Sequence, residues 1–336
     1  MSILRKFLLP FALLYGLIMI VRNYLYDLRI LESESYPFPV ICVGNLSVGG
    51  TGKTPMIEYL LKLLIPDYKV ATLSRGYGRN TKGFRLVTIK ETADKVGDEP
   101  LQFKNKFADA VIAVDENRRR GIAKLRQGHD SEVILLDDAF QHRKVKAGLN
   151  ILLTRYEDLY ENDFMLPTGN LREPVSEADR AKIIVVTKCP ENLSVEEQEV
   201  IRNKLKPRNY QHLFFSYISY NNYVFNGKEK IEVQDLINKE ITLVTGIANP
   251  SSLCEYLKDS GIAYTHLNFP DHHKFSSEEI REMSKSSFIL TTEKDFMRLK
   301  GEVAQEKLFY LSIDMKFIRH TDNFNKEITA FIINEK

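Results

Sequence analysis

The apolar, β-branched run Pro39-Val40-Ile41-Cys42-Val43 stops at Gly44, and Gly49-Gly50-Thr51-Gly52-Lys53-Thr54 follows just before the helical pattern Met56 to Leu64. Strand, glycine loop and helix in that order is the context of a phosphate-binding P-loop. Glycines let the backbone curl so that successive amide hydrogens face one anion, and the positive end of the next helix adds to them. Lys53 then suits the β- and γ-phosphates of a nucleoside triphosphate, and the Thr54 hydroxyl suits magnesium. A strict pattern would have glycine at position 47, where the chain has Ser47; Gly44, Gly49 and Gly50 supply the flexibility instead. Pro55 fits a first helical turn, whose amides have no intrahelical partner anyway.

A second run, Glu132-Val133-Ile134-Leu135-Leu136, ends in Asp137-Asp138. Alone, an aspartate pair after a strand is usually a turn. Beside a P-loop it becomes a magnesium-holding pair at a strand's carboxyl end. Apolar strands near 40, 70, 111, 133, 150 and 183 alternate with helical stretches, which predicts a P-loop NTPase-like α/β fold: a mostly parallel sheet with helices on both faces. Around 208–230 the pattern turns aromatic and hairpin-like, ending at Asn226-Gly227, and a second, smaller α/β domain is expected over 231–336. The core is then 31–207, preceded by an amino-terminal segment, 1–30. Catalysis between the two domains would let closure exclude water.

That segment is apolar and aromatic from Phe7 to Val21, with Arg5 and Lys6 before it and Arg22 and Arg29 after. It is shorter than the roughly 20 residues that span a bilayer, and no small-residue cleavage site follows it. A helix lying in the membrane interface is expected, with its basic flanks toward anionic head groups and Tyr15, Tyr24 and Tyr26 near the boundary. The competing reading is a core helix of a soluble domain. Lys plus Arg number 47 against 45 Asp plus Glu, a net charge of +2, which does not suit a nucleic-acid coat. Cys42, Cys189 and Cys254 have neither disulfide-framework nor zinc spacing, so a reducing compartment fits.

Further blocks follow the glycine loop in order: Ser74-Arg75-Gly76-Tyr77-Gly78-Arg79, Val96-Gly97-Asp98-Glu99-Pro100, Leu136-Asp137-Asp138-Ala139-Phe140-Gln141-His142, Gly169-Asn170-Leu171-Arg172-Glu173-Pro174, Pro270-Asp271-His272-His273 and Thr292-Glu293-Lys294-Asp295. With Gly44 to Pro55 they resemble the tetraacyldisaccharide 4′-kinase family of lipid A biosynthesis over nearly the whole chain. The resemblance implies transfer of the γ-phosphoryl of ATP, with Mg2+, to the 4′-hydroxyl of a tetraacylated glucosamine disaccharide 1-phosphate. It implies work at the cytoplasmic face of a Gram-negative inner membrane. The partners expected are this lipid A disaccharide precursor and the membrane surface, with no nucleic acid and no evident protein partner.

By spacing alone, Asp98 in Gly97-Asp98-Glu99-Pro100 reads as a helix cap. The resemblance makes it the general base instead, assisted by His272. Arg172 and Glu173 read as a surface ion pair on a loop; the resemblance brings them, with Asn170, to the cleft, Arg172 near transferred phosphate and Glu173 near magnesium or acceptor. Arg75, Tyr77 and Arg79 lie on a glycine-rich turn suited to a sugar or its phosphate, where arginine's forked donors match phosphate oxygens. Arg118 is a further candidate, although a charge run such as Arg118-Arg119-Arg120 is usually just a solvated face.

Two rival readings stay open at this level. One is a membrane-associated nucleotide switch that hydrolyses ATP or GTP without a lipid acceptor. Thr187-Lys188 follows a strand as a guanine-reading motif would, yet Thr187-Lys188-Cys189-Pro190 lacks the aspartate that reads guanine. The other is a soluble small-molecule kinase with its apolar amino terminus packed inside.

Overall fold

The computed structural model of the chain describes Arg5 and residues 7–335. Lys6, one of the basic flanking residues, lies outside them. The helices are α1 (Leu9–Asp27), α2 (Lys53–Leu64), α3 (Ala93–Val96), α4 (Asp98–Lys106), α5 (Arg118–His129), α6 (Val195–Leu205), α7 (Ser251–Asp259), α8 (Ser277–Met283), α9 (Glu293–Leu299) and α10 (Thr321–Asn334).

The strands are β1 (Val40–Asn45), β2 (Val70–Ser74), β3 (Arg85–Leu86), β4 (Val111–Val114), β5 (Val133–Asp137), β6 (Leu149–Arg155), β7 (Ile183–Thr187), β8 (His212–Phe225), β9 (Lys230–Glu232), β10 (Thr242–Thr245), β11 (Thr265–Asn268), β12 (Ile289–Thr292) and β13 (Leu308–Phe317). They form one sheet in the order β11-β10-β12-β13-β8-β7-β6-β1-β5-β2-β4-β3, with β9 on β8. From β7 to β4 every pairing is parallel, with short β3 antiparallel at the edge. All residues of β1, β2, β5 and β7 are buried, as expected where helices cover both faces. Alternation sorts them: Ile41 and Val43 join the core under α2, while Val40 and Cys42 join the core on the opposite face.

Strand β8 belongs to both halves of the sheet. Its first part runs parallel to β7, and its remainder runs antiparallel to β13, with a register shift between Leu311 and Ile313. The chain turns back into β9 around Asn226-Gly227, where Gly227 has φ 93°. Beyond β13 the chain returns to the P-loop half. Phe324, Ile328 and Ile332 of α10 are buried in the same core as Met56 and Leu60 of α2, and Tyr59 meets Phe317 and Phe324 edge-on at 5.1 and 5.7 Å.

Helix α1 is longer than its apolar run, and by length and composition its 19 residues suffice to cross a membrane. Only one stripe packs against the body: Ala12, Gly16, Met19 and Asn23, spaced at i, i+4, i+7 and i+11. Phe11, Leu13, Leu17, Ile18 and Ile20 remain exposed, so this is not a helix packed into a core. Its last turns are docked. Arg22 and Asn23 donate to Glu173 at 3.3 and 3.2 Å, and Asp27 accepts from Arg143 at 2.5 Å.

Candidate active site

The glycine loop leaves the carboxyl end of β1 and enters α2 through Gly52, whose φ of 86° favours glycine. Gly44 serves a different purpose. A Cβ there would stand 2.6 Å from the Cβ of Phe140, so only glycine lets β1 pass this close to the segment carrying Asp137 and Asp138.

Lys53 Nζ lies 3.2 Å from Asn45 Oδ1 and 3.8 Å from Asp138 Oδ1. Arg172 donates to the same two residues, at 2.5 Å to Asn45 Oδ1 and 2.8 Å to Asp138 Oδ1. Burial pushes the Asp138 carboxyl up, but Lys53 and Arg172 outweigh it and hold the group below the usual carboxylate range. Asp138 itself sits at φ 46°, a left-handed conformation that is uncommon outside glycine and often marks functional turns.

Asp137 behaves oppositely. Its side chain is buried, its Oδ1 has no hydrogen-bond partner, and burial together with Glu99 and Asp138 pushes its carboxyl up to about 7. An orphaned buried carboxylate oxygen beside Asp138 and the Thr54 hydroxyl is a hard-oxygen set suited to magnesium. The Thr54 hydroxyl donates to Glu99 Oε1 at 3.1 Å, which puts Glu99 at this point too.

Asp98 and His272 meet although they are remote in sequence. His272 Nδ1 is 3.2 Å from Asp98 Oδ2, and Lys294 Nζ is 3.1 Å from His272 Nε2. A terminal nitrogen of Arg298 also reaches His272 Nδ1, at 3.1 Å, so the imidazole is held between Asp98, Arg298 and Lys294. Arg298 also donates to Asp98 Oδ2, through Nε at 2.9 Å and through a terminal nitrogen. Burial pushes the Asp98 carboxyl up, but the hydrogen bonds from His272 and Arg298 bring it down to about 2. Asp98 is not the cap of α4: Gly97 holds that position, and no side-chain cap bond is made. The exposed Tyr77 ring lies 5.3 Å from that of His272.

These groups share a pocket of about 390 Å³. Its walls include Asp98, His272, Asp137 and Asp138, and Tyr15, Met19 and Arg22 of α1 close it on one side. Arg75 lines it and forms neither a hydrogen bond nor an ion pair among the described residues. His142 lines it as well, its imidazole lowered to about 4 by burial with Arg118 and Arg75 adding to the effect, so it is neutral at physiological pH. A larger groove, about 980 Å³, lies between the 27–35 segment and residues 139–150. Three of its four arginines are paired, Arg119 with Glu34, Arg143 with Asp27 and Arg180 with Glu173, while Arg29 also lines it. Asp98, His272 and the aspartate pair line the smaller pocket, so the chemistry belongs there.

Several expected residues lie elsewhere. Glu173 is wholly buried, and its carboxylate already accepts from Arg22, Asn23, Gln141 and Arg180. It joins α1 to the body, and through Gln141 it reaches the end of β1 at Asn45. Arg118, 3% exposed, donates to the carbonyl oxygens of Asp115 and Asp137, bracing the turn behind the aspartate pair instead of meeting a substrate. Arg79 is spent on the carbonyl of Gly83 and the carboxylate of Glu116, shaping the 76–83 loop. Asn170 sits on the rim, its carbonyl accepting from the amide of Val48 at 2.8 Å and its side chain 3.4 Å from Arg5.

The sheet, the loop and the aspartate pair define a P-loop nucleoside-triphosphate-binding protein with an acidic second wall facing the phosphate end. The family model described as Tetraacyldisaccharide-1-P 4'-kinase matches residues 4–332. A tetraacyldisaccharide 4'-kinase of Flavobacterium johnsoniae is 53% identical over 99% of this chain and 98% of its own. One of Bacteroides thetaiotaomicron is 41% identical over 98% of this chain and 93% of its own. A crystal structure of LpxK from Aquifex aeolicus in complex with ATP superposes with a TM-score of 0.81 at 33% identity, covering 98% of this chain and all of that one. The chain belongs to the tetraacyldisaccharide 4'-kinase family.

Proposed function

We propose that this enzyme transfers the γ-phosphoryl group of ATP to the 4′-hydroxyl of a tetraacylated disaccharide 1-phosphate, which it meets at the cytoplasmic surface of the inner membrane. The observation that carries the reading is the shared pocket. One wall holds the P-loop-facing aspartates, a second holds Asp98 with His272, and a third is α1, whose exposed apolar residues suit acyl chains. The Aquifex relative crystallised with ATP supports the choice of nucleotide.

In the reaction the 4′-oxygen forms a bond to the γ-phosphorus as the bond from that phosphorus to the β,γ-bridging oxygen breaks, and ADP leaves. The hydroxyl proton passes to Asp98. Because the transition state is loose, orientation of the hydroxyl matters more than early removal of its proton, so a carboxylate held near pKa 2 is adequate. His272, with its Nδ1 against Asp98 and Lys294 behind it, fixes the carboxylate's direction. Lys53 and Arg172 supply positive charge where the γ-phosphoryl oxygens gather it. Thr54, Asp137 and Asp138 would hold magnesium, which when bound neutralises charge on the phosphate oxygens. Arg75 and Tyr77 suit the sugar and its 1-phosphate. The amino-terminal segment, the core over 31–207, the hairpin linker over 208–230 and the unit over 231–336 are taken as the working parts.

A nucleotide switch needs no second wall of this kind, and the acceptor pocket therefore favours the kinase. Incubation with labelled ATP and the tetraacyldisaccharide 1-phosphate in detergent micelles should give a doubly phosphorylated lipid. Release of free phosphate without labelled lipid would favour the hydrolase.

A further inference from the structure

Three helices carry the reacting groups and the residues that orient them. Helix α2 begins with Lys53 and Thr54, α4 begins with Asp98, and α9 holds Lys294 and Arg298. At the amino-terminal end of α4 they meet directly, since Glu99 accepts from Thr54 at 3.1 Å and Asp98 accepts from Arg298 at 2.9 Å. Contacts at one end alone leave a helix free to pivot there. The other end of α4, at Lys106, lies about 12 Å along the axis at 1.5 Å per residue, and it decides where the helix points.

Lys106 fastens that end to both neighbours. Its ammonium lies 2.6 Å from Glu58 Oε2 of α2 and 3.1 and 3.2 Å from the two carboxylate oxygens of Glu293 of α9. Both acids are buried. Gln102, one turn back on α4, donates to the other oxygen of Glu58 at 2.8 Å, and Asn105 accepts from Lys300 at 3.0 Å. The amide of Ile313 bonds Glu293 where β13 shifts register against β8, so the cluster is tied to the sheet as well. Burial opposes the charge on Lys106, but Glu58 and Glu293 outweigh it and raise its proton affinity. Stability alone does not account for such a cluster, because replacing a buried ion pair by apolar groups of similar volume is often neutral or stabilising. What it supplies is direction. Hydrogen bonds fix an angle that apolar contacts leave loose, and a reacting group misplaced by about 1 Å loses about 10²-fold in rate.

We propose that Lys106, clamped by Glu58 and Glu293, is a positioning residue for phosphoryl transfer: it sets the angle of α4 between the P-loop helix and α9, and so aims Asp98 at the acceptor hydroxyl. It acts only through Asp98. This rests on the role given to Asp98 under Proposed function.

The test is a double-mutant cycle on lipid phosphorylation, with calorimetric titration of ATP and thermal midpoints measured on the same full-length proteins in detergent. Lys106→Met should lower kcat about tenfold or more while ATP binds within about twofold of the parent, and Lys106→Arg should recover most of kcat. In the Asp98→Asn background the same change should cost less than about twofold, since the group it aims is already gone. Lys106→Met strands two buried carboxylates and can unfold the chain. The triple variant Glu58→Gln, Lys106→Met and Glu293→Gln removes the charges together and keeps acceptors for Gln102 and the Ile313 amide; its midpoint should stay near the parent's while kcat falls as in the single variant. A triple variant with parental kcat would overturn the proposal. An undiminished loss from Lys106→Met in the Asp98→Asn background would overturn it too, marking a general structural effect and leaving the role of Asp98 intact. Parental kcat in Asp98→Asn itself would remove the acceptor reading, and the proposal with it.

Discussion

Arg298 and Asp98 are 200 residues apart, yet two nitrogens of the arginine converge on one oxygen of the aspartate, Nε at 2.9 Å. The guanidinium is anchored from behind by Asp295 at 2.9 Å and by the carbonyl of Gly246 at 3.1 Å. The contact joins α4 to α9 at the acceptor pocket. It also accounts for much of the depression of the Asp98 carboxyl to about 2. A depressed folded-state pKa gives stability that is present above 3.8 and lost as pH falls through about 2. Arg298→Met should therefore move the acid limb of the kcat/KM profile to higher pH and lower kcat, with Arg298→Lys recovering part of both. An acid limb that does not move would remove Arg298 from control of Asp98.

Asp98→Asn should reduce kcat by about 10²-fold or more with ATP affinity nearly intact. Since Asp98 and His272 act through one hydrogen bond, the double variant with His272→Ala should be little worse than the poorer single variant. Gly97, not Asp98, caps α4, so the thermal midpoint should barely move. A clear drop in midpoint with kcat preserved would return Asp98 to a structural role.

Lys53→Ala should cost about 10²-fold or more in kcat, because the cation acts where charge shifts in the transition state. Asp137→Ala and Asp138→Ala should raise the magnesium requirement, at least one of them severely. Magnesium titrations matching the parent in both variants would contradict the metal assignment.

The exposed and docked faces of α1 should separate by mutation. Leu13→Gln combined with Leu17→Gln alters side chains that are 68% and 58% exposed, and should weaken vesicle binding and raise KM for micellar lipid at unchanged thermal midpoint. Asn23→Ala removes a buried donor from Glu173 and should cost about 1–3 kcal/mol of stability. Unaltered partitioning of the Leu variant onto vesicles would leave the apolar face unexplained.

Between the helices, Lys106 of α4 bonds Glu58 of α2 at 2.6 Å and Glu293 of α9 at 3.1 Å. One ammonium serves two buried carboxylates, so Lys106 is stabilised as a cation while both acids are pushed up by burial, Glu293 from 4.5 to about 7. A raised folded-state pKa gives stability that is present below 4.5 and lost as pH rises through about 7. Glu293→Gln abolishes that loss. Its stability relative to the parent should improve by about 1–3 kcal/mol between pH 5 and pH 8, read from denaturant midpoints at each pH. A difference that is flat with pH would show the carboxylates sharing the charge without strain.

The expected strands near 40, 70, 111, 133, 150 and 183 are all present, because parallel strands buried on both faces must be continuous apolar runs and such runs show in any single chain. The glycine loop was legible for a similar reason: few residue types allow that backbone. Charged residues were harder. A surface ion pair, a magnesium ligand and a buried brace look alike in sequence, and the burial of Glu173 among Arg22, Asn23, Gln141 and Arg180 depends on chain segments far from it. Arg298 gave no local signal, since its partner lies in another half of the sheet. Glu99 and His142 were visible within their motifs, but their positions beside Thr54 and the pocket depend on how β1, β5 and α4 come together.

The strand β8, shared by both halves of the sheet, limits how the molecule can move. A flexible tether between two bodies would let them swing apart freely, whereas a strand bonded to β7 at one end and β13 at the other resists opening and yields mainly to torsion. The same strand ties α9 and the His272 loop to the half of the sheet that carries Asp98. A glycine introduced in the middle of β8 should therefore loosen this tie at a distance from every reacting group.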